Sequence, residues 1–369
     1  MHDVYSVGLV SIISLIASIL SYKPILKLAR KFNFYDNPDA RKLQRIPIPV
    51  MGGGVVLLGI IAGSIACCTV YDCKSLMPIQ VAMVIMLFVG AWDDRKNLSP
   101  YAKFAIETIV VLLLAIVNNS PLNNLHGLWG IHEISPWLAW PLTVIACVGI
   151  INAINMIDGI DGLSSGFCIM IFSFFSWMIF NLHDFARAAF GMSIVGGLVP
   201  FFVMNVFSRK SKMFIGDAGT MMLGIAVCDF VMIIVSDNSE LSMQLENKDV
   251  CVVAFLLAVL AIPVFDTLRV MIRRIVHGQS PFRPDKTHLH HAFIDYGFHH
   301  LETTLLEILI NMIIVLFWAM LKFSHLPMQW QLYGVIVIGV AVTVGLYQAL
   351  VKQRQEKEEE EEDHESQMR

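Results

Sequence analysis

Long apolar runs separated by short polar loops dominate this chain. Runs of about 17 to 23 residues match the thickness of a bilayer core. They fall near 4–22, 50–70, 77–92, 101–118, 136–152, 163–180, 186–206, 214–236, 250–270, 303–322 and 330–351. The pattern predicts an all-α polytopic membrane bundle of about eleven transmembrane helices. Lys23, Lys27, Arg30 and Lys31 follow the first run instead of preceding it. That order argues against a cleaved signal peptide and for an outside N-terminus, and parity then puts the C-terminus in the cytoplasm. Of the 26 Lys and Arg, all but Lys74, Arg187, Lys248 and Lys322 fall in loops or helix ends assigned inside, as the positive-inside rule requires.

Composition agrees. With 56% hydrophobic residues, 15% charged residues and a mean hydropathy of +0.66, the chain is too apolar for a water-soluble globule. Its formal charge of −4 reflects the terminus, because Glu356 to Arg369 holds eight acids against two bases. Residues 1–351 are therefore read as one membrane domain and 352–369 as an acidic, disordered cytoplasmic tail. Six of the seven cysteines lie in or beside apolar runs and read as small apolar residues. No disulfide framework or CxxC pattern occurs. No nucleic-acid partner is expected.

Polar chemistry collects in the inner loops. Asn152 to Leu163 reads NAINMIDGIDGL, two amides and two carboxylates at the junction of two apolar runs, with Gly159 and Gly162 each following an aspartate. Uncompensated charges at membrane depth each cost on the order of 3 kcal/mol, so these groups face a polar loop or a ligand. Glycines beside carboxylates suit a cation carried by phosphates.

The first inner loop places Lys42 among basic residues before Gly52, Gly53 and Gly54, which suits an anionic substrate. Basic residues are expected there from topology alone. In AWDDRKNLSPYAK the adjacent Asp93 and Asp94 repel, and a divalent cation, Arg95 and Lys103, or a shared proton would compensate them. SRKSKMFIGDAGT frames Asp217 with small residues after Arg209, Lys210 and Lys212. IRRIVHGQSPFRPDKTHLHHAF carries Arg273, Arg274, Arg283, Lys286, His288, His290 and His291, enough donors to surround a phosphorylated sugar. The same histidines could take a transition metal, with Asp285 as their only carboxylate neighbour. Inside the runs, Glu107 can pair with Lys103 and Asp266 with Arg269, while Asp229 has no evident partner. The Gly59 and Gly63 spacing suits close helix packing.

PVMGGG, DDRKN, NAINMIDGIDGL, FIGDAG and PDKTHLHH, in this order over about residues 20–300, resemble the polyprenyl-phosphate N-acetylhexosamine-1-phosphate transferases. RKLQRIPIPVMGGG, the HLHH form and eleven spans make the chain similar to the WecA branch more than to the MraY branch, which typically has three successive histidines and ten spans. The resemblance implies transfer of GlcNAc 1-phosphate from UDP-GlcNAc to undecaprenyl phosphate at the bacterial inner membrane. This is the first membrane step of a surface polysaccharide pathway.

It further implies Mg²⁺, with Mn²⁺ as an alternative, held by Asp217 and helped by Asn155. Asp93 and Asp94 would lie at the reacting centre, Lys103 and Asn97 on the diphosphate, and Asp161 against uracil. Asp158, His290 and the substrate-binding Arg273, Arg283, His288 and His291 would fall near metal and sugar, with Lys42 on the anionic substrate. UDP-MurNAc-pentapeptide is the alternative donor, and a nucleotide-sugar or lipid-linked sugar transporter the alternative class. A homodimer stays open.

Overall fold

The computed structural model describes residues 2–36, 46–236, 250–282 and 285–368. It is nearly all helical, with 77% of the described residues in helices. The helices are α1 (His2–Lys31), α2 (Gly52–Cys68), α3 (Met77–Lys96), α4 (Pro100–Val117), α5 (Pro136–Met156), α6 (Leu163–Asn181), α7 (Phe185–Phe207) and α8 (Gly216–Val235). There follow α9 (Val252–Val259), α10 (Ala261–Val276), α11 (Leu289–Tyr296), α12 (His300–Phe323), α13 (Met328–Val340) and α14 (Tyr347–Met368). Two short antiparallel hairpins, Tyr35–Asp36 with Ile48–Pro49 and Asn124–Leu128 with Ile131–Glu133, decorate the ends.

Among the described residues nine helices are long and apolar enough to cross a membrane, and the α9–α10 pair makes a tenth. The remaining expected span, 50–70, is the apolar α2 of 17 residues, which at 1.5 Å per residue is about 25 Å long. One expectation is corrected. The run 250–270 is not one straight helix, because α9 and α10 meet at Leu260 with a bend of 78°. Asn311 of α12 makes the break tolerable: its side-chain oxygen accepts from the Ile262 N–H at 2.8 Å and its amide donates to the Ala258 and Val259 carbonyls at 3.1 Å each. Backbone groups freed at membrane depth need such partners. Residues 352–369, read from composition as a disordered tail, are helical as far as Met368.

Local sequence sets several helix ends. Ser99 accepts from the Ala102 N–H at 3.2 Å ahead of Pro100, and Asp184 accepts from the Arg187 N–H at 3.0 Å, so α4 and α7 begin with side-chain caps. Asn97, left-handed at φ 48°, ends α3. The centre of the bundle is α8, buried along its whole apolar length, with α3, α5, α6 and α7 against it. Small residues let α1, α2 and α7 approach closely. A Cβ at Gly59 would lie 3.0 Å from the Ser14 carbonyl oxygen and one at Gly63 2.6 Å from Ser193 Cβ, which gives the expected role to that pair. Ser14 and Ser18 donate to the Ser193 and Gly197 carbonyls at 2.6 and 2.8 Å.

Candidate active site

The C-terminal ends of α3, α5 and α7 and the N-terminal ends of α4, α6 and α8 meet at one end of the bundle. Lys103, in the first turn of α4, reaches across to three of them. Its ammonium lies 3.0 Å from Asp93 Oδ2, 3.2 Å from Asn155 Oδ1 and 3.4 Å from Asp217 Oδ2. Asn155 closes the cluster by donating to Asp217 Oδ1 and to Thr220 Oγ1, both at 2.7 Å. Residues separated by up to 124 positions thus share one knot of charge.

The adjacent acids have different surroundings. Asp93 accepts from the Leu98 N–H at 2.7 Å as well as from Lys103 and lines the open cleft. Asp94 turns its carboxylate to the start of α8, accepting from the Asp217 N–H at 2.9 Å and the Ala218 N–H at 3.1 Å. It therefore satisfies two orphan donors of that helix. Gly216 makes the turn possible: its φ is +72°, and a Cβ there would sit 2.6 Å from Asp94 Oδ2. Asp94 thereby fixes the backbone that carries Asp217.

Two cavities open beside the knot. One, of 340 Å³, lies between Asp93, Lys103, Asn152 and Asn155 on one wall and Arg274, Asp285 and His288 on the other. The second, of 770 Å³, is lined by Asp94, Asn97, Asp158, Asp161, Arg209, Lys212, Asp217 and His300. Asp93, Gly159 and His291 line both, so the two meet at the knot. His290 packs so closely on Gly159 that a Cβ at that position would collide with its ring.

The glycine-flanked aspartates differ in charge. Burial pushes Asp158 up to about 7, partly offset by Ser164 Oγ donating at 2.5 Å. Burial also opposes the charge of Asp161, but His300 at 2.9 Å and Lys212 at 2.5 Å hold its carboxyl below the usual range. Burial depresses both His290 and His291, the latter to about 4 with neighbouring His288 adding to the effect. Asp285, although burial opposes its charge, is held below the ordinary carboxylate value by Arg274 at 2.9 Å and by Thr287.

Most expected site residues therefore gather at one cleft: Asp93, Asp94, Asn97, Lys103, Asn155, Asp158, Asp161, Asp217, His288, His290 and His291. Arg273 does not. Its guanidinium donates to the Tyr347 hydroxyl at 2.8 Å at an exposed position outside both cavities, because one residue along a helix turns a side chain by about 100° and Arg274 takes the inward direction. Lys42 and Arg283 lie outside the described residues. The expected Glu107–Lys103 pairing is also replaced: Glu107 accepts from the Asn152 amide at 2.7 Å, leaving Lys103 to the knot. No group of three or more His, Cys, Asp or Glu able to hold a metal occurs among the described residues. His288 instead pairs through Nδ1 with Asp266 at 2.8 Å.

Several contributors escaped the sequence reading. Thr220 is one helical turn beyond Asp217, a spacing that marks it in hindsight. His300 and Ser164 carry no such signal, since their partners come from folding.

Residues 76–236, which contain DDRKN, NAINMIDGIDGL and GDAG, match the model of glycosyl transferase family 4. Over 331 residues the chain is 28% identical to a probable undecaprenyl-phosphate N-acetylglucosaminyl 1-phosphate transferase of Bacillus subtilis (strain 168), covering 89% of this chain and 88% of that one. It is 28% identical over 312 residues to the undecaprenyl-phosphate alpha-N-acetylglucosaminyl 1-phosphate transferase of Escherichia coli (strain K12), covering 82% and 81%. The protein of that name from Pasteurella multocida (strain Pm70) is 29% identical over 293 residues, 78% of each chain. The resemblance carried by the five motifs is thus borne out: over most of its length this chain is similar to proteins named undecaprenyl-phosphate N-acetylglucosaminyl 1-phosphate transferases, with a glycosyl transferase family 4 match over the segment that builds the knot.

Proposed function

We propose that this chain transfers GlcNAc 1-phosphate from UDP-GlcNAc to undecaprenyl phosphate, giving undecaprenyl diphosphate-GlcNAc and UMP. The observation that carries this reading is the Lys103–Asp93–Asn155–Asp217 knot where two cavities meet. Two separate spaces beside one charged centre suit a reaction between two phosphate-bearing substrates. The relatives' printed names supply the acceptor and the transferred group.

Both substrates are anions, so their repulsion must be neutralised before either attacks the other. Lys103 supplies fixed positive charge at the meeting point, and Arg209, Lys212 and His300 line the larger cavity. An oxygen of the lipid phosphate forms a bond to the β-phosphorus of the donor as the bond from that phosphorus to the bridging oxygen breaks. UMP leaves with the bridging oxygen. Asp93 orients the attacking phosphate or takes its residual proton, and because a phosphate monoester has a second pKa of about 6, a strong base is not required.

The donor set fits Mg²⁺ or Mn²⁺: hard oxygens converge on one spot, and the Asp217 side chain is 36% exposed towards the larger cavity. Mg²⁺ commonly takes one or two carboxylates and fills its shell with phosphate oxygens and water. Asp217 would hold it with Asn155 beside it, and the ion would supply charge neutralisation on the diphosphate.

The Lys and Arg distribution supports a cytoplasmic-facing site, and the bacterial organisms of the similar proteins support a bacterial inner membrane as its setting. The polar groups sit at helix ends, whereas transporters of lipid-linked or nucleotide sugars place them near the midplane. The test is UMP release by purified protein with undecaprenyl phosphate, Mg²⁺ and either UDP-GlcNAc or UDP-MurNAc-pentapeptide, each with an EDTA control. Metal-dependent UMP and lipid-linked GlcNAc with the first donor alone are expected. Turnover only with the second reassigns the donor, and no UMP with either overturns the reading.

A further inference from the structure

The last transmembrane stretch does not run as one regular helix. Ala341–Leu346, between α13 and α14, is π-helical, and such widened turns shift the direction of every side chain that follows. The first residue after it is Tyr347. Its ring lies 3.9 Å from the Arg269 guanidinium carbon, and its hydroxyl accepts from Arg273 at 2.8 Å. One tyrosine is therefore seated on two arginines of α10.

Arg269 leads to the cleft. Its guanidinium donates to Asp266 Oδ1 at 2.6 Å and 3.2 Å and to the Thr287 carbonyl at 2.5 Å. Asp266 Oδ2 pairs with His288 Nδ1 at 2.8 Å, and the same carboxylate accepts from the Leu289 N–H at the start of α11. His288 is a wall of the smaller cavity. A second tie runs in parallel, since Arg354 of α14 pairs with Asp295 of α11 at 2.9 Å. α14 thus contacts the histidine-bearing α11 directly as well as through Arg269.

We propose that Tyr347 is a positioning residue for this site: it clamps Arg269, and through Asp266 it sets His288 in the cavity wall. The C-terminal helix is then part of the substrate-binding apparatus instead of a passive last span. The kinetic half of this inference rests on the transferase reading above; the geometric half does not.

The test compares wild type, Tyr347→Ala and Tyr347→Phe as full-length purified proteins. Carbethoxylation of His288 by diethyl pyrocarbonate, quantified by mass spectrometry, reports the histidine's seating without any turnover. UMP release reports KM for UDP-GlcNAc and kcat separately. Loss of the ring should raise His288 labelling and KM each by about 5-fold, the scale of a cation–π contact, with a smaller change in kcat. Tyr347→Phe keeps the ring and should stay within about 2-fold of wild type. Unchanged His288 labelling in Tyr347→Ala would overturn the proposal, whatever happens to KM. So would a Phe variant as impaired as the Ala variant. A wild type without transferase activity would sink the transferase reading alone, since the labelling still decides the positioning role.

Discussion

The two ends of this bundle each set a carboxylate of α8 beside a cation, yet they are built for different purposes. At one end Asp217 meets Lys103 at 3.4 Å with its side chain 36% exposed, next to two cavities. At the other, Asp229 is fully buried: it accepts from the Asn118 amide at 2.9 Å, and Arg187 Nε lies 4.0 Å away, itself tied to Asp184 at 2.5 Å. Neither cavity reaches it. Buried charge alone therefore does not mark a site. Access does, together with oxygen donors that remain open to a ligand. Asp229, which had no evident partner in the sequence, is accounted for as a structural acid pinning α4, α7 and α8.

The contrast can be broken most sharply at Lys103. Replacing it by Met keeps the stem but removes the charge from the meeting point, and turnover should fall by about 100- to 1,000-fold, the scale for losing a preorganised electrostatic group. A change below 10-fold would remove Lys103 from the centre. The adjacent acids offer a finer cut. Asp93→Asn should cost activity on that same scale, whereas Asp94→Asn keeps one acceptor for the α8 N–H groups and should lose about 10-fold in turnover and about 1 kcal/mol in stability. Equal losses at the two positions would show that Asp94 touches substrate too.

The smallest expected effect is on pH dependence. Asp158, raised by burial to about 7, loses its proton as pH rises through neutrality, whereas His291, lowered to about 4, stays neutral above about pH 5. A limb near pH 7 in kcat/KM should therefore vanish in Asp158→Asn and persist in His291→Gln. The reverse pattern would assign the limb to the histidine.

The apolar helices were legible because a bilayer imposes length and composition on each span separately. Gathering of the motifs at one end was legible too, since alternate loops fall on one side. Pairings were not. Asn311 repairs a helix break some 50 positions away in sequence, Glu107 chooses Asn152 over the nearer Lys103, and Asp94 caps a helix that begins at Gly216. Each depends on which helices neighbour one another, which hydropathy does not encode. Arg273 was the expected substrate contact, and it is helix phase, which loop composition does not reveal, that turns Arg274 to the cavity instead.

The most direct test of the account pairs the two acids of α8 in one assay. Asp217→Asn and Asp229→Asn are purified in detergent, matched for folded protein by size-exclusion chromatography, and compared for UMP release from UDP-GlcNAc with undecaprenyl phosphate and Mg²⁺. The account predicts that Asp217→Asn loses at least about 100-fold in turnover. Asp229→Asn should stay within about 2-fold while melting earlier, because the buried Arg187 keeps Asp184 but loses the second of its two counter-charges. A near-normal rate for Asp217→Asn, or an equal collapse of both variants at equal stability, would contradict the assignment of the active centre to the Lys103 end.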